Sequence, residues 1–169
     1  MTGRDQEEYT ALRATIRERG TARVLVFAAG LAIWAALVIA TTALALAPVA
    51  AIVPLVALVA TFEAVLALHV GVERIGRYLL AFHNDEWERV AGAFGRPARA
   101  IAVDPLFSVP FLVATLVNLT PLLAVDAIPQ EWIFVGGAHA LFAVRVVVAR
   151  AAAMRQRDVD AERFNQLRR

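Results

Sequence analysis

The sequence contains no cysteine and no lysine. The absence of cysteine excludes disulfides, thiol catalysis and zinc or iron–sulfur centres with thiolate ligands. All 17 basic residues are arginine, and no physical requirement explains that choice. We interpret the bias as the codon usage of a GC-rich bacterial genome.

Charge is missing from the longest apolar stretch of the chain. Val24–Phe62 covers 39 residues without one ionisable side chain, about twice the roughly 20 residues that a helix needs to cross a bilayer. The whole chain is 60% hydrophobic, whereas a soluble domain is closer to half. A chain of 169 residues has no soluble core thick enough to bury such a stretch, so we predict that its solvent is the lipid bilayer.

Pro48 divides this stretch into two helices, because proline disfavours helix in the residue before it and fits a first helical turn. Two more apolar runs follow, and Pro110 and Pro121 in the first of them are tolerated in membrane helices. The predicted fold class is all-α: an integral membrane four-helix bundle with four transmembrane spans and short amphipathic cytoplasmic helices. The spans cover residues 23–44, 49–72, 105–125 and 131–153.

Three segments lie outside the spans: an N-terminal amphipathic helix, a central loop and a C-terminal tail, at residues 1–22, 73–104 and 154–169. The N-terminal helix either lies on the membrane surface or extends the first span. The loop contains a predicted helix with Asn84 as N-cap and a stop at Gly95 and Pro97. Its apolar stripe rests on lipid headgroups or on the helix ends, and consists of Trp87, Val90 and Phe94.

Arginine placement predicts the orientation. All arginines but Arg145 lie in or beside the N-terminal segment, the central loop and the tail, and positively charged segments face the cytoplasm. We therefore expect a multi-pass protein of the bacterial inner (plasma) membrane with both termini in the cytoplasm. The net charge is only +2. Because the membrane orientation of the spans explains where the arginines lie, we expect no nucleic-acid partner.

Two charges lie inside predicted spans at one depth. Glu63 is 14 residues after Val49, and Arg145 is 14 residues after Glu131, which places each about 20 Å from the outer surface. An isolated charge at that depth would be costly, so the spacing predicts an ion pair. The pair either fixes the register of the bundle or contributes a titratable or ion-binding group to a pathway, and contact with a partner subunit or lipid is a third reading.

Further charged residues follow toward the cytoplasmic end of the second span. Arg74 is three helical turns after Glu63 and is expected to point the same way. Glu73 and Arg77 have the i, i+4 spacing of a helical ion pair, and Arg150 of the fourth span can join this polar line.

Small residues favour close packing of two membrane helices. They recur in the second span and again in "GGAHA" at 136–140, which predicts a close contact between the second and fourth spans. The residues in the second span are Ala60, Ala64, Ala67 and Gly71.

Two histidines suggest a haem, but their depths argue against it. His69 lies near the inner surface and His139 near the outer one, so their offset of about 18 Å is too large for two axial ligands. We expect His139 to hydrogen-bond within the bundle, and Asn118 to be an interhelical hydrogen-bonding residue. The sequence shows no metal-binding or catalytic motif, so no cofactor, metal or catalytic residue is predicted.

These features lead to two functional hypotheses. The first is a non-enzymatic accessory or assembly subunit that acts through partner contacts, as a homo-oligomer or in a larger membrane complex. The second is a small oligomeric channel or transporter for ions or protons that uses Glu63, Arg145 and Arg74. A membrane-embedded enzyme ranks third, because no catalytic set is visible.

Overall fold

The computed structural model describes residues 3–44, 47–94, 105–124 and 127–168, and within these ranges the chain is helical and contains no strand. Three helices are long: α1 (Gly3–Ala43), α2 (Ile52–His83) and α7 (Gly137–Arg168). Four are shorter: α3 (Glu86–Phe94), α4 (Pro105–Asn118), α5 (Thr120–Ala124) and α6 (Pro129–Glu131). A 3₁₀ turn precedes α2 at Pro48–Ala51, and a π-helical turn joins α6 to α7 at Trp132–Gly136.

Three helical segments are long and apolar enough to cross a membrane: Gly3–Ala43, Pro48–His83 and Pro129–Arg168. The chain is therefore all-helical with three candidate membrane-spanning helices among its described residues. The run predicted as a span at 105–125 forms a shorter apolar helical segment, Ser108–Ala124. Val125, the end of that prediction, lies outside the described residues.

A break between α4 and α5 interrupts this shorter segment. Pro121 has no backbone N–H, so it cannot donate to the carbonyl of Val117 four residues earlier. The hydroxyl of Thr120 donates to the Val117 carbonyl instead. The backbone N–H of Leu119 donates to the carbonyl of Leu116, three residues earlier, at 3.1 Å. This hydrogen bond forms a tighter turn than the α-helix at the junction.

The amphipathic segment predicted at the N-terminus is the first part of α1. The helix continues without interruption from Gly3 through the predicted boundary at residues 22 and 23 to Ala43. No residue of α1 is buried. Every residue of α1 is therefore at least partly exposed, and its exposed aliphatic side chains include Leu25, Ile33 and Ile39.

The helix predicted in the central loop is present as α3, but its cap is Asp85 and not Asn84. Asp85 Oδ1 accepts a hydrogen bond from the backbone N–H of Glu88 at 3.1 Å, which is the geometry of an N-cap. Asn84 has φ 49°, a left-handed conformation that asparagine tolerates better than most residues. Trp87 and Val90 of the predicted stripe are exposed, whereas Gly95 and Pro97 lie outside the described residues.

The chain forms two compact units, and each contains parts of the three long helices. The polar unit comprises Met1–Val24, Leu66–Ala102 and Ala151–Arg169, and the apolar unit comprises Leu25–Val65 and Val103–Arg150. In the polar unit, rings from α2 and α7 pack together: Tyr78 stacks on Phe82 at 4.6 Å and meets Phe164 edge-on at 5.8 Å. The Tyr78 hydroxyl also donates to Glu8 Oε1 of α1.

Four phenylalanines form the centre of the apolar unit. Phe62 of α2 meets Phe111 of α4 at 5.1 Å and Phe142 of α7 at 5.7 Å, and Phe27 of α1 meets Phe111 at 5.7 Å. All three contacts are edge-to-face, an arrangement favoured by the charge distribution of aromatic rings. One cluster therefore holds side chains from four helices.

A close approach of α1 to α2 depends on Gly30. A Cβ at this position would lie 2.2 Å from Cγ2 and Oγ1 of Thr61. The Thr61 hydroxyl donates to the Ala57 carbonyl of its own helix at 2.7 Å, which fixes the side chain. Only glycine therefore fits at residue 30 in this packing.

The glycines of "GGAHA" do not make the close helix contact that the sequence predicts. A Cβ on Gly137 would have no described atom within 4 Å, and one on Gly136 would meet only Trp132, at 3.9 Å. In the polar unit, Gly71 faces α1: a Cβ there would lie 2.7 Å from Nη1 of Arg19. Gly71 therefore lies beside α1, while α2 and α7 meet through Phe62 and Phe142.

Candidate functional site

Glu63 of α2 and Arg145 of α7 form an ion pair in the apolar unit. Arg145 Nη2 donates to Glu63 Oε2 at 2.8 Å. The guanidinium carbon also lies 5.9 Å from the centre of the Phe62 ring, within range of a cation–π contact. The structure thus brings together the two charges that the sequence places at one depth.

The pair is not buried within the protein. The side chains of Glu63 and Arg145 are 43% and 45% exposed. Around them both helices present exposed apolar residues. On α2 these are Val56, Ala60 and Ala64, and on α7 they are Leu141, Val144 and Val148.

Helical spacing places these apolar residues beside the charges. Ala60 precedes Glu63 by three residues and Leu141 precedes Arg145 by four, so each lies on the same face as its charged neighbour. Arg145 and Glu63 therefore form a polar spot on an otherwise aliphatic surface, which we call the pair surface: Val56, Ala60, Glu63, Ala64, Leu141, Val144, Arg145 and Val148.

A second polar group of the apolar unit is fully enclosed. The side-chain nitrogen of Asn118, Nδ2, lies 2.8 Å from the carbonyl oxygen of Ala51 and 2.9 Å from Nε2 of His139. His139 Nδ1 lies 2.7 Å from the carbonyl oxygen of Val135. Because a carbonyl only accepts, Nδ1 carries the proton and Nε2 accepts from Asn118.

This arrangement pairs every donor of the cluster. Asn118 and His139 are both 1% exposed, so an unpaired polar atom there would be costly. The cluster ties α4 to α7 and to the turn before α2, next to the apolar contacts of Ala51, Leu122 and Val135. We assign it a structural role.

Glu73 lies at the centre of a polar cluster in the polar unit. Its carboxylate accepts hydrogen bonds from Arg157 of α7 and lies 3.6 Å from Arg77 Nη1 of its own helix. His69 Nε2 lies 3.3 Å from Glu73 Oε1, while His69 Nδ1 accepts from Arg23 Nη1 of α1 at 2.8 Å. Glu73 therefore links three long helices.

Asp160 of α7 is a second centre. It accepts from Arg77 at 2.8 Å, from Arg74 at 3.3 Å and from Gln156 at 2.8 Å. Arg74 therefore binds Asp160, a residue that the sequence did not single out. The side chain of Arg150, predicted to join this line, is not among those that the structure describes.

Asp85 is the third centre, at the start of α3. Its carboxylate accepts from the Tyr9 hydroxyl at 2.8 Å and from Arg13, both on α1. Burial alone would raise the pKa of Asp85, but the hydrogen bonds from Tyr9, the Glu88 amide and Arg13 outweigh it, and its pKa lies below the ordinary value of 3.8. Asp85 therefore stays ionised and holds α3 against α1.

The sequence reasoning missed Asp85, Arg157 and Asp160. Their partners lie 72 to 86 residues away in the chain. These residues lie in the predicted cytoplasmic segments, outside the spans in which equal depth identified Glu63 and Arg145, or at a span end where no partner of equal depth was sought. The one available signal was that Asp160 and Asp85 are acids in arginine-rich segments.

The chemistry open to these groups is electrostatic. Within the described ranges, no three histidine, aspartate or glutamate side chains converge as metal ligands would. Comparison with models of protein families, with curated proteins and with solved structures finds no match. The geometry of the pair surface is thus the main guide to function.

Proposed function

We propose that this chain is a non-enzymatic membrane protein, an accessory or assembly subunit that works by binding a partner within the bilayer. The observation that carries the proposal is the exposure of Glu63 and Arg145 on an aliphatic surface. Lipid chains hydrogen-bond neither group, and charges facing lipid cost several kcal/mol on most scales. A protein that covers the pair surface removes that cost.

The buried centres of the polar unit support this reading by contrast. Asp85 and Asp160 are each surrounded by donors of the same chain. Glu63 has one described donor, Arg145, and its side chain is 43% exposed. Such a half-satisfied pair is suited to accept further hydrogen bonds from another chain.

Four crossings of the inner membrane, with both termini in the cytoplasm, complete the proposal. Ser108–Ala124 would be the short crossing, since its helical length of about 26 Å approaches the 30 Å of the hydrocarbon layer. The four-phenylalanine cluster supports a four-helix bundle in the apolar unit, because each ring comes from a different helix.

Reporter fusions test this topology. We expect fusions after residues 47 and 128 to report an outside location, and fusions at residue 90 and after 169 an inside location. An inside result at 128 would rule out the short crossing. An outside result at 90 would contradict the cytoplasmic loop, and an outside result after 169 would contradict the cytoplasmic C-terminus.

Partner binding is tested by gentle purification from native membranes. Wild-type protein should elute with a mass well above the 18.3 kDa of one chain. A Glu63→Gln, Arg145→Met double variant should fold but lose the partner, because its surface no longer offers charges. Val147→Ala is the matched control. Val147 is exposed on the face of α7 opposite Arg145, so this variant should keep the complex.

A single wild-type chain that elutes alone from both detergent and nanodiscs would contradict the proposal. The second candidate, an oligomeric ion or proton channel, is favoured by the same exposure, since both charges remain accessible. It predicts ion flux in liposomes that the neutral double variant loses. Flux by the wild type without any bound second protein species would favour this candidate.

A further inference from the structure

The pair surface carries one acid and one base side by side. A surface of this kind is complementary to its own copy: after a two-fold rotation, the acid of each copy faces the base of the other. The charges of Glu63 and Arg145 cancel within the pair, so two copies meet without net repulsion.

Steric features permit such a meeting. Ala60 and Ala64 are exposed on the α2 side of the surface, and small residues let the backbones of membrane helices approach closely. At that approach the long side chains of Glu63 and Arg145 can reach a neighbouring helix.

Other occupants match the surface less well. A lipid phosphate would bind Arg145 but be repelled by Glu63, and an apolar helix would leave both charges without new partners. A second copy supplies a donor for Glu63 and an acceptor for Arg145 at once.

We propose that the pair surface is the interface of a symmetric homodimer in which two Glu63–Arg145 pairs form a ring of four charges. This inference rests on the proposed function and names its partner as a second copy of the chain. The ring would give each exposed Glu63 carboxylate a second donor and each exposed Arg145 guanidinium a second acceptor.

Single charge reversals test the ring. The Glu63→Arg chain carries two bases at the surface, and the Arg145→Glu chain carries two acids. Each variant expressed alone should be monomeric, because like charges face each other across the interface. Co-expressed with different tags, the two variants should form a mixed dimer, since every contact across the interface then joins an acid to a base.

We expect recovery of the mixed dimer to exceed that of either variant's own dimer by about tenfold or more, as close charge pairs across interfaces are strongly coupled. Wild-type protein with two tags is the positive control. Equal recovery of mixed and like pairs would overturn the charge ring.

Cysteine cross-linking provides a test that leaves the charges intact. The natural chain has no cysteine, so Ala64→Cys introduces the only thiol. Oxidation in native membranes should give a covalent dimer from this variant, or from Ala60→Cys. Val147→Cys is the control: it is exposed but turned by about 200° from Arg145 on α7, and should stay monomeric.

The outcomes distinguish the homodimer from binding of a different partner protein. If the thiols at 60 and 64 give no dimer while a different membrane protein co-purifies through the pair surface, the homodimer is wrong and partner binding stands. If neither a dimer nor a second species forms, both proposals are wrong. Equal cross-linking of all three cysteine variants would indicate random collision and also overturn the homodimer.

Discussion

The acidic centres of the polar unit are enclosed, whereas the ion pair of the apolar unit is half-exposed. In the polar unit, Asp85 and Asp160 are 7% and 5% exposed, and each accepts hydrogen bonds from two or more side chains. In the apolar unit, Glu63 has one described donor and its side chain is 43% exposed. Surrounded charges hold helices together within one chain, whereas the half-exposed pair has binding capacity left for another molecule.

The largest loss of stability is expected when one member of the exposed pair is removed. Arg145→Ala leaves Glu63 as a lone charge on an aliphatic surface, and Glu63→Ala does the same to Arg145. We expect each to lower the free energy of unfolding by up to about 3 kcal/mol. Chemical denaturation in detergent micelles would measure the loss.

The Glu63→Gln, Arg145→Met double variant is the control for this prediction. It should recover most of the stability, because neither charge remains without a partner. Losses that simply add up in the double variant would show that the two residues are not coupled.

The next largest effect concerns a centre of the polar unit. Asp160→Asn removes the charge that Arg74 and Arg77 share, and should cost about 2 kcal/mol, because the mostly enclosed Arg77 loses the nearer of its two acids. Thermal unfolding in the same detergent is the readout. The matched control is Glu86→Gln, whose ion pair with Arg89 is exposed and should contribute less than about 0.5 kcal/mol.

The close helix approach in the apolar unit gives an effect of similar size. Gly30→Ala places a methyl group against Thr61, and overpacking of this kind costs about 1 to 3 kcal/mol. Gly20→Ala is made in the same helix, where a Cβ meets no described atom within 4 Å. It should stabilise by about 0.5 to 1 kcal/mol through helix propensity, and equal destabilisation by both variants would contradict a specific close approach at Gly30.

The smallest effect is a pH dependence confined to the polar unit. Because the pKa of folded Asp85 lies below its ordinary value of 3.8, the ionised carboxylate stabilises the fold above about pH 4. That stabilisation is lost as the pH falls through the folded pKa. Thermal unfolding between pH 3 and 6 should therefore show a component that Asp85→Asn lacks; identical profiles for the two proteins would contradict it.

The sequence predicts well those features that depend on regular helix geometry. The absence of charge from Val24 to Phe62 predicted long apolar helices, and the constant rise per residue placed Glu63 and Arg145 at one depth. The structure has the long apolar helices and joins Glu63 to Arg145, and it extends α1 back to Gly3 and α2 forward to His83.

Features that depend on contacts between distant segments were not predictable. The partners of Asp160 lie on α2, more than 80 residues earlier. Asp160 belongs to the segment predicted as a tail beyond the membrane, where no boundary gives a depth to compare, so helical rise could not pair it. The cap of α3 was misplaced by one residue because asparagine and aspartate are both good N-caps. Only the left-handed backbone of Asn84 and the hydrogen bond from Glu88 distinguish the two.

The central claim is that protein, not lipid, covers the pair surface. A nitroxide spin label on Ala64→Cys, measured in native-like bilayers, reports this through its collision rate with dissolved oxygen, which concentrates among lipid chains. The same label on Val147→Cys gives the value for a side chain that faces lipid. We predict a collision rate at position 64 well below that at 147; equal rates at the two positions would contradict the claim.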